Sequence, residues 1–169
     1  LCALSGKTGE EAKIIERGLA IFFVGFIFLL DRVSKLFITY QFSEGEGFVL
    51  LPGIFHITRV NNAGAAFGIL KDHTSLLAVI SILCVTALFL YLAARRKKVS
   101  PYLESAWLLI IGGALGNLYD RLRYGYVIDF LDFRVWPVFN FADIAICAGT
   151  FLIISRVLIS SVLRRGSNR

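Results

Sequence analysis

Ser75-Leu76-Leu77-Ala78-Val79-Ile80-Ser81-Ile82-Leu83-Cys84-Val85-Thr86-Ala87-Leu88-Phe89-Leu90-Tyr91-Leu92-Ala93-Ala94 runs for twenty residues without a charge. A helix needs about 20 apolar residues to cross the hydrocarbon of a bilayer. The run ends on Arg95-Arg96-Lys97-Lys98, four cations in a row. An uncharged stretch of this length stopped by a basic block predicts a membrane-spanning helix, and the rest of the chain reads outward from it.

Three further stretches fit the same frame. Gly18 to Tyr40 begins with a purely apolar run, and Asp31, Arg32 and Lys35 then punctuate its outer part. Leu103 to Tyr119 and Phe139 to Leu163 complete a set of four, the last interrupted by Asp143 and Arg156. The 169 residues are 57% hydrophobic, with mean hydropathy +0.73. A soluble domain holds about 45–50% apolar residues even with glycine counted. The expected domain therefore covers 18–163, preceded by a polar segment at 1–17 and followed by a short tail at 164–169. No cleavable signal peptide is expected, because the first apolar run follows a charged stretch and has no small-residue cleavage site after it. No methionine occurs, so the true start is expected upstream of Leu1.

Four spans put both termini on one side, and the basic residues choose which. Lys7, Lys13, Arg17, Arg95, Arg96, Lys97, Lys98, Arg164, Arg165 and Arg169 fall on one side, ten in all; Arg59, Lys71, Arg121, Arg123 and Arg134, five, fall on the other. The excess of Lys and Arg marks the cytoplasmic face. Nucleic acid is a poor explanation for the net charge of +6, since the cations flank apolar spans and form no patch with stacking aromatics. Cys2, Cys84 and Cys147 show no metal-ligand spacing, and His56 and His73 stand alone; neither disulfide, metal nor cofactor is expected.

The outer loops carry structure of their own. Ile54-Phe55-His56-Ile57-Thr58-Arg59-Val60 alternates with β-branched and aromatic residues, the period of a strand, and predicts a small sheet on the outer surface. Tyr124 to Pro137 mixes aromatics, aliphatics and charges, as suits a segment lying in the interface.

Carboxylates close to a bilayer are costly and read as functional. Asp129 is expected about one turn beyond the third span and Asp143 in the first turn of the fourth. If they converge, the pair cannot easily ionise twice: one carboxylate activates a water while the other, protonated, polarises an amide carbonyl. Structural readings stand beside this one. Asn140 to Asp143 has the spacing of a helix N-cap with an acid three residues on. Asp129 has Arg121, Arg123 and Arg134 as possible ion partners. Asp120 and Asp132 are rivals for the pair, with Asp120-Arg121 reading as a local charge brace. Asp31 and Lys35, spaced i, i+4, predict an internal ion pair. Gly112-Gly113-Ala114-Leu115-Gly116 predicts close helix packing. Asn61-Asn62-Ala63-Gly64-Ala65-Ala66-Phe67-Gly68 fits a turn and fits equally a strip that binds an extended peptide.

Taken in order, Asp31-Arg32-Val33-Ser34-Lys35, Asn62-Ala63-Gly64-Ala65-Ala66-Phe67, Gly112 through Arg121, Val127-Ile128-Asp129-Phe130 and Phe139-Asn140-Phe141-Ala142-Asp143 resemble the bacterial lipoprotein signal peptidases, or signal peptidase II. The resemblance runs from about Gly18 to Leu163. It implies an aspartic endopeptidase of the bacterial plasma membrane that removes the signal peptide from diacylglyceryl-modified prolipoproteins, cutting just before the lipidated cysteine. It implies a catalytic dyad of Asp129 and Asp143 facing outward; Asn62, Gly64, Asn117, Arg121 and Asn140 lining the site; and Asp31, Lys35 and Asp120 in support. It also implies a four-helix transmembrane bundle with an extracytoplasmic β-cradle and an interfacial helix, contact with membrane lipids, and inhibition by globomycin.

Two other classes remain open at this stage. A proton-coupled transporter should hold its acids near the bilayer midplane, whereas these cluster outside. A metal-dependent lipid transferase binding magnesium through Asp120, Asp129, Asp132 and Asp143 would need phosphate-cradling groups and several converging carboxylates.

Overall fold

The computed structural model describes residues 2–64, 73–95 and 100–167. Of the stretches singled out above, Ala65-Ala66-Phe67-Gly68, Lys71, Arg96-Lys97-Lys98 and Arg169 lie outside the described residues. The described residues form four long helices and three short strands: α1 (Cys2–Gln41), β1 (Gly47–Leu51), β2 (Phe55–Asn62), α2 (Thr74–Arg95), α3 (Pro101–Tyr124), β3 (Val127–Asp132) and α4 (Phe141–Ser167). Two of the helices, over Thr74–Ala94 and Phe141–Ser160, are long and apolar enough to cross a membrane. The backbone of α1 is helical without a break from the polar N-terminal segment into the apolar run, and α4 continues past Leu163.

Helix α3 is central and packs on α1, α2 and α4. Its ends are set locally. Ser100 caps the start, its hydroxyl accepting from Leu103 N–H at 3.5 Å, with Pro101 in the first turn. Gly125 ends the helix at φ 80°, donating its N–H to Arg121 O at 3.1 Å. The glycines of its middle allow the close packing. A Cβ on Gly113 would stand 2.4 Å from Ala142 O of α4, and one on Gly116 would stand 2.5 Å from Asp31 Oδ2 of α1. Missing methyls thus bring three helices together where charged side chains must meet.

The strands form one antiparallel sheet in the order β1-β2-β3. The alternation of Ile54 to Val60 appears as β2. Tyr124 to Pro137, expected as a segment lying in the interface, has strand β3 at its middle. Every residue of β3 is buried, since β2 flanks one edge and Phe139 bridges to Leu131 on the other. Asp129 accordingly sits on a strand rather than one helical turn beyond α3. Ile38 of α1, Ile57, Phe130 and Leu131 form a core beneath the sheet, with Phe42, Phe55, Phe139 and Phe141 packed around it. Arg59 of β2 donates to Phe42 O at 2.8 Å and ties the sheet to the C-terminal end of α1.

Candidate active site

Strand β3 and the start of α4 are stitched together before either carboxylate takes part. Phe130 and Leu131 N–H both donate to Phe139 O, at 3.0 and 2.8 Å, and Phe139 N–H donates to Leu131 O at 3.1 Å. That bridge brings Asp129, one residue before it, against Asn140, one residue after it. Asn140 then opens α4. Its side-chain Oδ1 accepts from Asp143 N–H at 3.0 Å, while Asp143 Oδ2 accepts from Asn140 N–H at 3.1 Å. This reciprocal pair is a capping box, so the N-cap reading of Asn140 to Asp143 holds.

Capping does not exhaust either residue. Asn140 Nδ2 donates to Asp129 Oδ1 at 2.6 Å, and more weakly to Asn117 Oδ1 at 3.1 Å and Ile128 O at 3.3 Å. The second oxygen of Asp129 accepts from Asn62 Nδ2 at 2.9 Å, and Asn62 Oδ1 accepts from Gly64 N–H at 3.0 Å. The second oxygen of Asp143 accepts from Asn117 Nδ2 at 2.8 Å. All four carboxylate oxygens therefore receive an amide N–H, and Asn140 touches both acids. Of the acids and amides expected at the site, Asp129, Asp143, Asn62, Gly64, Asn117 and Asn140 come together in this one network.

Asp129 is 3% exposed. Burial, and then the neighbouring Asp143 charge, push its carboxyl up from 3.8 to about 7, against the pull of the Asn62 and Asn140 donors and the Lys35 charge. None of the hydrogen bonds or ion pairs described for Asp129 comes from Arg121, Arg123 or Arg134. Arg134 goes to Asp132, donating through Nη1 at 2.9 Å and through its backbone N–H at 2.8 Å, and Thr58 donates there at 3.1 Å. Burial alone would raise the Asp132 carboxyl, but these bonds outweigh it and hold it below its usual range. Asp132 is thus committed at the far end of the strand and is no partner for Asp129.

Beneath the network lies an ionic cluster in which Asp31, Lys35 and Asp120 are fully buried and Arg32 nearly so. Lys35 Nζ reaches Asp31 Oδ2 and Asp120 Oδ2, each at 2.8 Å, and Asn117 Oδ1 at 2.9 Å. The first two contacts are ion pairs and the third is a hydrogen bond. Arg32 pairs with Asp120 and lies 4.6 Å from the centre of the Tyr119 ring. Asp31 Oδ1 accepts from Ala142 N–H at 3.1 Å, and Asp120 Oδ2 from Ile128 N–H at 3.2 Å. The i, i+4 pair of Asp31 and Lys35 forms as the spacing predicts. The Asp120-Arg121 brace does not: Asp120 turns to Arg32 and Lys35 of α1, because adjacent residues on a helix do not face each other. Sequence reading missed the role of Arg32. The available signal was a third charge within a span, which had to find an internal partner. Arg121 lies near enough to feel the charges of Asp143, Asp129 and Asp120, and its buried Nε has no hydrogen-bond partner among the described residues.

The signal peptidase (SPase) II family matches residues 23–159. A lipoprotein signal peptidase of Halothermothrix orenii is 44% identical over 128 residues, spanning 76% of this chain and 87% of that protein. One of Fusobacterium nucleatum is 35% identical over 150 residues, spanning 88% of this chain and 91% of its own length. Among solved structures, a bacterial membrane enzyme obtained by the in meso method at 2.3 Å superposes with a TM-score of 0.79 at 32% identity, covering 85% of this chain and 90% of that one.

Proposed function

The chain belongs to the signal peptidase II family, and we propose that it removes the signal peptide of diacylglyceryl-modified prolipoproteins as an aspartic endopeptidase, with Asp129 and Asp143 as the catalytic dyad. The observation that carries this reading is Asn140, which hydrogen-bonds both carboxylates at once.

The pair shares one proton near neutral pH, because the two acids repel each other's charge. Asp129, the more buried of the two, holds it up to about pH 7. Asp143, the less buried of the two, lies in the first turn of α4 and is the base. Asp143 therefore takes a proton from water as the water oxygen bonds to the scissile carbonyl carbon. Asp129 gives its proton to the carbonyl oxygen, and a neutral tetrahedral adduct forms. Asp143 then returns its proton to the amide nitrogen as the C–N bond breaks, and Asp129 recovers one from the adduct hydroxyl. The amide donors on all four oxygens leave the shared proton to the lone pairs that face the substrate. Arg121, with its unpaired Nε, is the donor for a peptide carbonyl.

In this reading α1 and α3 cross the membrane beside α2 and α4, making four spans. Support comes from the large apolar side chains that α1 exposes, among them Ile21, Phe22, Phe26, Leu29, Val33 and Phe37, while Asp31, Arg32 and Lys35 are buried inside the bundle. The basic excess puts both termini in the cytoplasm and the dyad on the outer face of the bacterial plasma membrane, where the substrate's acyl chains lie. Residues 18–163 form the peptidase domain, with 1–17 and 164–169 as cytoplasmic flanks. Globomycin, as an inhibitor of the family, is expected to occupy the same site.

The test is a reconstituted assay with the purified protein, EDTA present. Cleavage of a diacylglyceryl-modified precursor should persist in the chelator and vanish in Asp129→Asn and in Asp143→Asn. Retained turnover in either variant would remove that residue from the dyad. Equal turnover of an unmodified precursor would leave a general membrane aspartic peptidase.

A further inference from the structure

Three asparagine amides donate to the two carboxylates, and each amide has a front and a back. An amide turned end for end presents its oxygen to the carboxylate instead of its NH2. Asn62 is held the right way round by Gly64 N–H on its oxygen, and Asn140 by Asp143 N–H on its oxygen. Both are backbone donors, which cannot reverse. Asn117 has no such backbone anchor among the described contacts. Its Oδ1 accepts from Lys35 Nζ at 2.9 Å. Asn140 Nδ2 reaches the same oxygen at 3.1 Å, but that group has two other acceptors for its two hydrogens, Asp129 Oδ1 and Ile128 O. Lys35 Nζ also forms ion pairs with Asp31 and Asp120 at 2.8 Å each, and it directs its hydrogen bond to Asn117 Oδ1.

We propose that Lys35 is a positioning residue for the dyad: as an obligate donor it fixes the Asn117 amide with its oxygen toward α1 and its NH2 on Asp143 Oδ1, which keeps Asp143 in the charged form that accepts a proton from water. With the amide reversed, Asn117 would offer Asp143 an oxygen. Asp143 would then have to carry the proton in order to donate, and the base would be lost. The inference rests on the dyad reading above. The charged groups around the pair are Asp31, Arg32 and Lys35 on α1, Asp120 and Arg121 on α3, Asp129 on β3 and Asp143 on α4. β2 contributes the uncharged Asn62, and α2 carries no charged residue before Arg95.

Removing Lys35 alone would also leave Asp31 unpaired, so the informative variants are neutral pairs. Asp31→Asn/Lys35→Met deletes the donor, and Asp31→Asn/Lys35→Gln keeps an NH2 at the same reach. The expected result for the Met pair is a kcat at least about 10-fold lower, a KM within about twofold, and the lower limb of the pH–kcat profile moved up by about one pH unit, roughly that same factor. The Gln pair should recover much of both losses. Met and Gln pairs with one shared kcat and one shared pH profile would overturn the proposal, and so would a failure of both to fold, which would make Lys35 a residue of the fold alone. Asp129→Asn is run alongside: if it still cleaves, the dyad reading itself fails, whatever Lys35 does.

Discussion

Asn140 and Asp143 cap each other, each side-chain oxygen accepting the other's backbone N–H, at 3.0 and 3.1 Å. The group that begins α4 is therefore the group that aims one carboxylate, and the Asn140 amide reaches on to the other. In the proposed dyad, folding and chemistry share the same atoms.

Asn140→Ala separates the two contributions. Loss of an N-cap costs about 0.5–2 kcal/mol. Loss of the donor to Asp129 also weakens the charged form of the dyad. Cleavage should fall by far more than the drop in folded fraction accounts for, as read by thermal unfolding in detergent beside kcat. Activity that merely tracks the folded fraction would reduce Asn140 to a cap.

Asp129→Asn has a signed effect on stability. Folded Asp129 keeps its proton to about pH 7, while the unfolded carboxyl releases it near 3.8. Between those values the folded state binds more protons, so this group makes stability fall as pH rises from about 4 to 7. Every pH unit between the folded and unfolded values corresponds to about 1.4 kcal/mol. Relative to the parent, Asp129→Asn should gain stability steadily from pH 5 to pH 7 and level off above. Melting temperatures that run parallel across that range would contradict the raised value.

Gly116→Ala drives a methyl to 2.5 Å from the Asp31 carboxylate. The helices must part or Asp31 must leave Lys35. We expect a loss of about 1–3 kcal/mol, the usual cost of overpacking, with cleavage reduced. A variant as stable as the parent would show that the α1–α3 contact is looser than the geometry requires.

Arg121→Ala removes a donor whose Nε no described residue uses. Hydrogen bonds from charged groups contribute about 1.5–3 kcal/mol, so KM should rise by roughly 10- to 100-fold with a smaller change in kcat. Were the melting temperature to fall in step with activity instead, Arg121 would be a brace.

Much of this was legible in the residues. The uncharged run from Ser75 needed no context, and the alternation within Ile54 to Val60 was legible because Phe55 and Ile57, two residues apart on β2, both pack into the core. Asp129 and Asp143 could be paired because each stood where a carboxylate is costly. β3 was not legible for the opposite reason: buried at every position, Val127 to Asp132 has no alternation to read, and its aromatic neighbours suggested an interfacial segment. Nor could the partners of Asp120 be read, since they lie 88 and 85 residues back in the chain and the adjacent Arg121 offered a nearer cation. The geometry that brought them together depends on glycines whose role appears only once the helices are packed.

The ionic cluster also bears on how the protein is made. Asp31 and Lys35 can neutralise one another as soon as α1 exists, but Arg32 waits for Asp120, 88 residues later. At ribosomal rates of about 5–20 residues per second, that interval is roughly 4–18 s. During it, a nascent α1 carries a cation with no counter-ion. A chain arrested before Asp120 should therefore hold α1 loosely, open to protease or extraction, and only the arrival of α3 should seat it.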